Sequence, residues 1–157
     1  MGKHNVPIEV KRLFAIRAMR WCRDYMGVNN RRKSLPKISV RINFRKDETE
    51  RFIKGIYYSY ENRIIIYDLN CKTIEDIVST VIHEYTHYLQ FWPWYTRYKN
   101  LYKYENNPYE VQARNMENIA PGLIELTRSD LWESYLRKNR KLASIHRKIN
   151  GMVIIEG

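Results

Sequence analysis

His83 and His87 stand four residues apart with a carboxylate between them, in the run His83-Glu84-Tyr85-Thr86-His87. On a helix, residues four apart share a face, so the two imidazoles can grip one Zn²⁺ ion. Glu84, next to them, is then placed to take a proton from a metal-activated water. The spacing points to hydrolysis at a metal, provided that the chain supplies the rest of the site. Zn²⁺ in a hydrolytic centre takes three protein ligands and keeps a fourth position for water, so two histidines are not enough.

The third ligand has few sources. A Gly and a third His shortly after His87 would complete one arrangement, but Gln90 and Pro93 hold those places, which excludes it. His4 and His146, the other two histidines, lie in basic terminal segments. Among carboxylates, Glu105 precedes a helix start, and Glu110 lies in Asn107-Pro108-Tyr109-Glu110-Val111-Gln112-Ala113. There Asn107 as N-cap and Pro108 at the first helical position open a helix. A Glu in a first helical turn is also favoured by the helix dipole alone, so the residues leave its role open.

The elements that must position these groups follow from periodicity. Pro7 to Met26 reads as a helix, with Val10, Phe14, Ala18, Trp21, Cys22 and Tyr25 on one side and Arg12, Arg20 and Arg23 opposite. Pro36 to Arg45 alternates as a strand, Ile38, Val40, Ile42 and Phe44 facing in and Ser39, Arg41 and Asn43 facing out. A polar loop over 46–50 leads to two more strands, Ile53–Tyr60 and Arg63–Asp68, joined by a tight turn at Glu61-Asn62. Thr73 with Asp76 forms a capping box for the helix carrying the histidines, whose buried stripe is Ile74, Ile77, Val78, Val81, Ile82, Tyr85 and Leu89. Pro93 ends that helix, and an aromatic connection runs from Trp94 to Tyr104. The helix from Asn107-Pro108 is broken at Ala120-Pro121-Gly122, a last helix covers Arg128 to about Lys141, and Met152–Ile155 forms a short strand or tail.

Size and composition bound the whole. With 157 residues, 44% of them hydrophobic and only 6 Gly and 5 Pro, the expectation is one folded domain over 1–157. No apolar run approaches the ~20 residues of a membrane span, the best being Ile64-Ile65-Ile66-Tyr67. Lys11, Arg12, Arg17 and Arg20 interrupt any secretory signal, and Val6 argues against myristoylation after Met1-Gly2. Cys22 and Cys71 are alone and far apart, which fits a reducing, cytoplasmic setting. The net charge of +11 is concentrated at the ends: +7 over residues 1–33 and +5 over 128–148. The clusters Arg31-Arg32-Lys33 and Arg137-Lys138-Asn139-Arg140-Lys141 are dense enough to contact nucleic acid or another polyanion, against the plain alternative of solvated faces. Phe91-Trp92-Pro93-Trp94-Tyr95 reads as core packing around a loop, with a substrate wall or a base-stacking platform as the alternative.

HExxH on one helix, followed by a Glu in an ExxA pattern at the start of a later helix, resembles the gluzincin clan of zinc peptidases, over roughly residues 36–118. The resemblance implies a zincin-like α+β minimal core. It has an N-terminal helix, a three-stranded, mainly antiparallel sheet, the HExxH helix, a Glu-bearing helix and a C-terminal helix. The basic segments 1–33 and 128–157 lie outside it. It implies one Zn²⁺ held by His83, His87 and Glu110, with Glu84 as general base and Ala113 letting the Glu-bearing helix pack closely on the HExxH helix. Glu117, seven residues after Glu110 and on nearly the same face, is a candidate to orient a ligand histidine, and Tyr109 is a second candidate to support the ligands from behind. For the oxyanion donor Tyr85, Tyr88, Tyr104, Tyr109 and Arg114 remain open. The expected function is peptide-bond hydrolysis of a peptide or protein substrate that is acidic or already sits on nucleic acid. The alternative is a non-enzymatic nucleic-acid-associated or virion protein that keeps zinc for stability. The compactness also resembles small metallopeptidase-like proteins of phages and bacteria; a phage origin would imply a host cytoplasm or a virion as its setting.

Overall fold

A computed structural model describes residues 7–42, 45–46 and 52–126. Phe44, the loop over 47–50, His4, His146, the basic cluster at Arg137, Lys138, Arg140 and Lys141, and the expected elements beyond residue 127 lie outside the described residues. The architecture is α+β: four helices around a small mixed sheet.

Helix α1 (Ile8–Met26) starts after Pro7 and stops at Gly27, whose φ of 86° is a left-handed value that costs glycine little. Val10, Phe14, Ala18 and Cys22 are buried at helical spacing, as the periodicity requires. Tyr25 departs from the expected stripe: it is 64% exposed and stacks on Trp21 at 4.6 Å. At the other end of the helix Lys11, a charged residue, is buried and pairs with Asp68 at 2.5 Å.

Strands β1 (Lys37–Arg41), β4 (Gly55–Tyr58) and β5 (Arg63–Tyr67) form the sheet in the order β1-β5-β4. A separate ribbon pairs β2 (Arg45–Lys46) with β3 (Phe52–Ile53). The expected mainly antiparallel sheet is corrected here: β4 and β5 are antiparallel, but β1 runs parallel to β5. A hairpin must reverse direction, whereas the long excursion between β1 and β5 lets the chain return in the same sense. β5 sits in the middle, and Ile64, Ile65, Ile66 and Tyr67 are all buried because both faces are covered. The strand over 36–45 ends early, leaving Ile42 66% exposed instead of inward. The strand expected over 53–60 is split at Lys54 between β3 and β4. The hairpin turn spans 59–62, with Asn62 at φ 53° donating its N–H to the Ser59 carbonyl.

Helix α2 (Ile74–Leu89) is capped as the sequence predicts: Thr73 Oγ1 accepts from the Asp76 N–H and the Asp76 carboxylate accepts from the Thr73 N–H. From Thr80 to Tyr88 every residue is buried, so this helix is the centre of the fold rather than one half-wet face. It packs against α1, β4 and β5. At Gly55 the approach is close: a Cβ there would lie 2.6 Å from Thr80 Cγ2 and 3.0 Å from the Ile65 carbonyl oxygen.

Two expectations about breaks are corrected. Pro93 does more than follow the end of α2: it sits in the first turn of a further helix, α3 (Trp92–Leu101), where the sequence suggested a connection. A proline has no N–H to lose there, so the same residue that forbids continuation permits a start. Helix α4 (Pro108–Met116) begins with Asn107 accepting from the Tyr109 N–H at 2.9 Å. It passes through a 3₁₀ turn at Glu117–Ile119 and is helical again over 120–126. Ala120-Pro121-Gly122 therefore opens a helical segment, Pro121 being tolerated in its first turn. No helix among the described residues is long and apolar enough to cross a membrane.

Candidate metal centre

The second half of α2 carries His83 and His87 one turn apart, their rings 4.9 Å between centroids. Helix α4 packs on this face with Ala113 fully buried, and it delivers Glu110 from its first turn. Glu110 Oε1 lies 3.1 Å from His83 Nε2 and 3.2 Å from His87 Nε2. Among the described residues these three form a group whose ligand atoms all lie within 4.8 Å of one another, and all three are buried.

The outer partners decide which ring nitrogens face inward. His83 Nδ1 donates to Glu117 Oε2 at 2.7 Å, because an ionised carboxylate only accepts. His87 Nδ1 meets Gln90 Oε1 at 2.6 Å. The Gln90 amide can be assigned from its other end, which lies 2.9 Å from the Tyr109 carbonyl and 2.8 Å from Gln112 Oε1. A backbone carbonyl can only accept, so that end is the NH₂ and the oxygen faces His87. Both Nδ1 atoms are thus donors, and both Nε2 atoms point at the Glu110 carboxylate with a lone pair or a proton. Proton and metal compete for that position.

The separations fit a metal. A tetrahedron built on bonds of ~2.0 Å has edges of roughly 3.3 Å, close to the nitrogen–oxygen distances here. Two imidazoles and one carboxylate are also the donor set that zinc takes in hydrolytic sites. Without metal, the same atoms hold one another by hydrogen bonds. Burial works against charge on His83, but Glu110 and Glu117 outweigh it and raise its pKa to about 10. His87 is raised the same way by Glu110 and Glu84 against its burial. Glu110 is driven well below the usual carboxylate range by the two imidazoles and by Tyr95, despite burial.

Glu84 is buried beside the histidines. Burial pushes its pKa up; His83, His87 and the Tyr57 backbone N–H oppose that rise. The register explains how Tyr57 comes to face it. The Tyr67 N–H donates to the Lys54 carbonyl at 2.9 Å, so hydrogen-bonded pairs fall at Lys54, Ile56 and Tyr58. Gly55 and Tyr57 therefore turn their N–H and C=O groups to the outer edge of β4, an edge strand of the sheet.

The sequence-derived residues fall into four groups. His83, His87, Glu110, Glu84 and Glu117 are brought together. Tyr109 contributes a carbonyl to Gln90 and a ring 6.5 Å from that of Tyr95. Tyr85 and Tyr88 point elsewhere, donating to the carbonyls of Gly27 and Arg32, while Arg114 lies against Glu105 and Tyr104. Arg31 and Arg32 are exposed along with Lys33, but Arg31 stacks on Phe91 at 4.2 Å and Arg32 donates to the Ser59 carbonyl. Sequence reasoning missed Tyr95, whose hydroxyl donates to Glu110 Oε2 at 2.5 Å, and the role of Gln90. A signal for Tyr95 existed: Pro93 as a helix opener would have put it in a first turn beside the site.

Compared with protein-family models, with curated proteins and with solved structures, the chain matches none. The functional argument therefore rests on the site.

Proposed function

We propose that the protein is a zinc-dependent metallopeptidase of gluzincin type on a zincin-like fold. The observation that carries this reading is the convergence of His83 Nε2, His87 Nε2 and Glu110 beside a buried second carboxylate, Glu84. A bound Zn²⁺ polarises the scissile carbonyl and lowers the pKa of its water toward ~7. His83, His87 and Glu110 would hold the ion, with Glu117 and Gln90 fixing the imidazoles by their Nδ1 atoms. Glu84 accepts the attacking water's proton and passes it to the leaving amine nitrogen. Buried beside the histidines, it is placed to hold that proton between the two steps. The outward N–H and C=O groups of Gly55 and Tyr57 offer a substrate backbone an edge to pair with, next to Glu84.

The test combines metal analysis of the purified protein with cleavage of a mixed peptide library. The expected result is one zinc per chain in both wild type and Glu84→Gln, with cleavage by the wild type and a loss of roughly 10²–10⁴-fold in the variant. Equal cleavage by both would remove Glu84 as base. Zinc binding without cleavage by the wild type would favour a site kept for stability or for binding.

A further inference from the structure

Helix α3 and the residues beside it, 91–104, hold seven aromatic side chains, three cations (Arg97, Lys99 and Lys103) and no acid. None of the α3 residues is buried. Of this ten-residue helix only Trp92 packs against the core, so the helix gains little from it, yet its composition is far from that of an ordinary wet face. Trp94, Tyr102 and Tyr104 are 42%, 47% and 44% exposed, and Leu101 is 69% exposed. The rings run outward from the metal centre without a gap. Tyr95 packs at 5.4 Å on His87, Tyr109 at 6.5 Å on Tyr95, Tyr98 at 5.3 Å on Tyr109 and Tyr102 at 6.0 Å on Tyr98.

We infer that this strip is a docking surface for an acidic segment of polypeptide that continues from the bond being cleaved; the inference rests on the peptidase reading and deepens it to a substrate class. Three features select this occupant. The charge over 91–104 is wholly positive and begins where the candidate centre ends, so a bound chain that leaves the centre along α3 meets Arg97, Lys99 and Lys103 before it reaches the exposed Glu105. Arg97 lies over Trp94 at 4.6 Å, which holds its guanidinium flat and ready for a carboxylate. Around Tyr98 the rings meet at steep angles, 60° to Tyr102 and 85° to Tyr109, while Tyr95 with Tyr109 at 29° and Trp94 with Tyr98 at 34° lie nearer parallel. The clefts between the tilted rings around Tyr98 admit apolar side chains, and a chain held at the proposed centre for cleavage is a polypeptide. The preferred segment therefore interleaves Asp or Glu with apolar residues.

The experiment uses full-length Glu84→Gln protein loaded with zinc and fluorescence anisotropy with three labelled probes. These are a short peptide alternating Glu and Leu, the same peptide with Lys for Glu, and oligothymidylate. The acidic peptide should bind roughly tenfold more tightly than the basic one. Adding Arg97→Glu and Lys99→Glu should erase or invert that preference, and Trp94→Ala should weaken the acidic peptide, with zinc stoichiometry unchanged as the check on folding. Wild-type protein in the peptide library should favour acidic flanks, and the double charge reversal should lose that bias. Charge-indifferent binding, or a preference that survives the double reversal, overturns the docking surface even if the wild type cleaves peptides. Strip-dependent binding of the acidic peptide by a protein that cleaves nothing keeps the surface and defeats the peptidase reading. Oligothymidylate bound through Arg97 and Lys99 in place of the acidic peptide overturns the proposal in favour of nucleic acid.

Discussion

The two ends of helix α2 use the same kinds of polar group to opposite effect. At the start, each acceptor has its donor. Asp76 takes the N–H groups of Lys72 and Thr73 and the Lys54 ammonium, and just upstream Asp68 takes Lys11. Burial alone would raise the Asp76 pKa, but Lys54 and those N–H groups hold it below its ordinary value. At the other end, Glu84, Glu110 and Glu117 crowd around two imidazoles, and both Nε2 atoms face one carboxylate. A closed set of partners fixes a chain in place. A convergent set with more acceptors than its own donors satisfy is a place for an ion. Burial alone does not separate the two, since Lys11 is as buried as His87.

Substitutions can break this contrast. The largest effect is expected for Glu110→Ala, which should lose stoichiometric zinc in metal analysis after dialysis; retained zinc would discard Glu110 as the third ligand. Next, Lys11→Ala leaves Asp68 unpaired and should cost roughly 3–5 kcal/mol in urea unfolding. Replacing both partners, Lys11→Met with Asp68→Leu, should restore most of that stability, and neither change should alter zinc content. Glu117→Ala and Gln90→Leu sharpen the contrast from the other side. Each should weaken zinc roughly 10–100-fold in a competition titration; in the zinc-free protein the unfolding midpoint should barely move for the part-exposed Glu117 and should fall for buried Gln90, whose loss leaves the Tyr109 carbonyl unpaired. The smallest effect belongs to Thr73→Ala, about 1 kcal/mol of stability from the lost cap with no change in zinc affinity. A change in zinc affinity there would mean that the two ends are coupled.

What the sequence discloses and what it hides divide along the range of the interactions. His83, Glu84 and His87 come to one side of a helix by local geometry and are legible from the residues alone; Asn107-Pro108 marks the helix that carries Glu110, whose place beside them is implied only by the resemblance. Seven-residue spacing also places Glu117 above Glu110. Tyr95 and Gln90 stay hidden because their roles depend on α3, and Pro93 signals a stop and a start with equal force. Lys11 reads as ordinary surface charge, its partner Asp68 being 57 positions away. The parallel pairing of β1 with β5 is likewise a fact of strand order that alternation within one strand cannot carry. Ala120-Pro121-Gly122 looks like a terminator, since composition does not distinguish the end of one helix from the first turn of the next.

Gly55 sets the distance between α2 and β4. Because it has no side chain, the backbone of β4 rests directly on Thr80, whose hydroxyl is tied to the Asp76 carbonyl at 2.6 Å and has little room to yield. Two residues further along the same strand, Tyr57 turns its N–H toward Glu84. The gap between the helix that would carry the metal and the strand edge that would carry the substrate is therefore held by a missing methyl group. Restoring that methyl would act as a shim, tilting one wall against the other without touching any reacting group. Misplacement by ~1 Å is enough to slow catalysis about a hundredfold, so the tolerance of the whole device is written in its smallest residue.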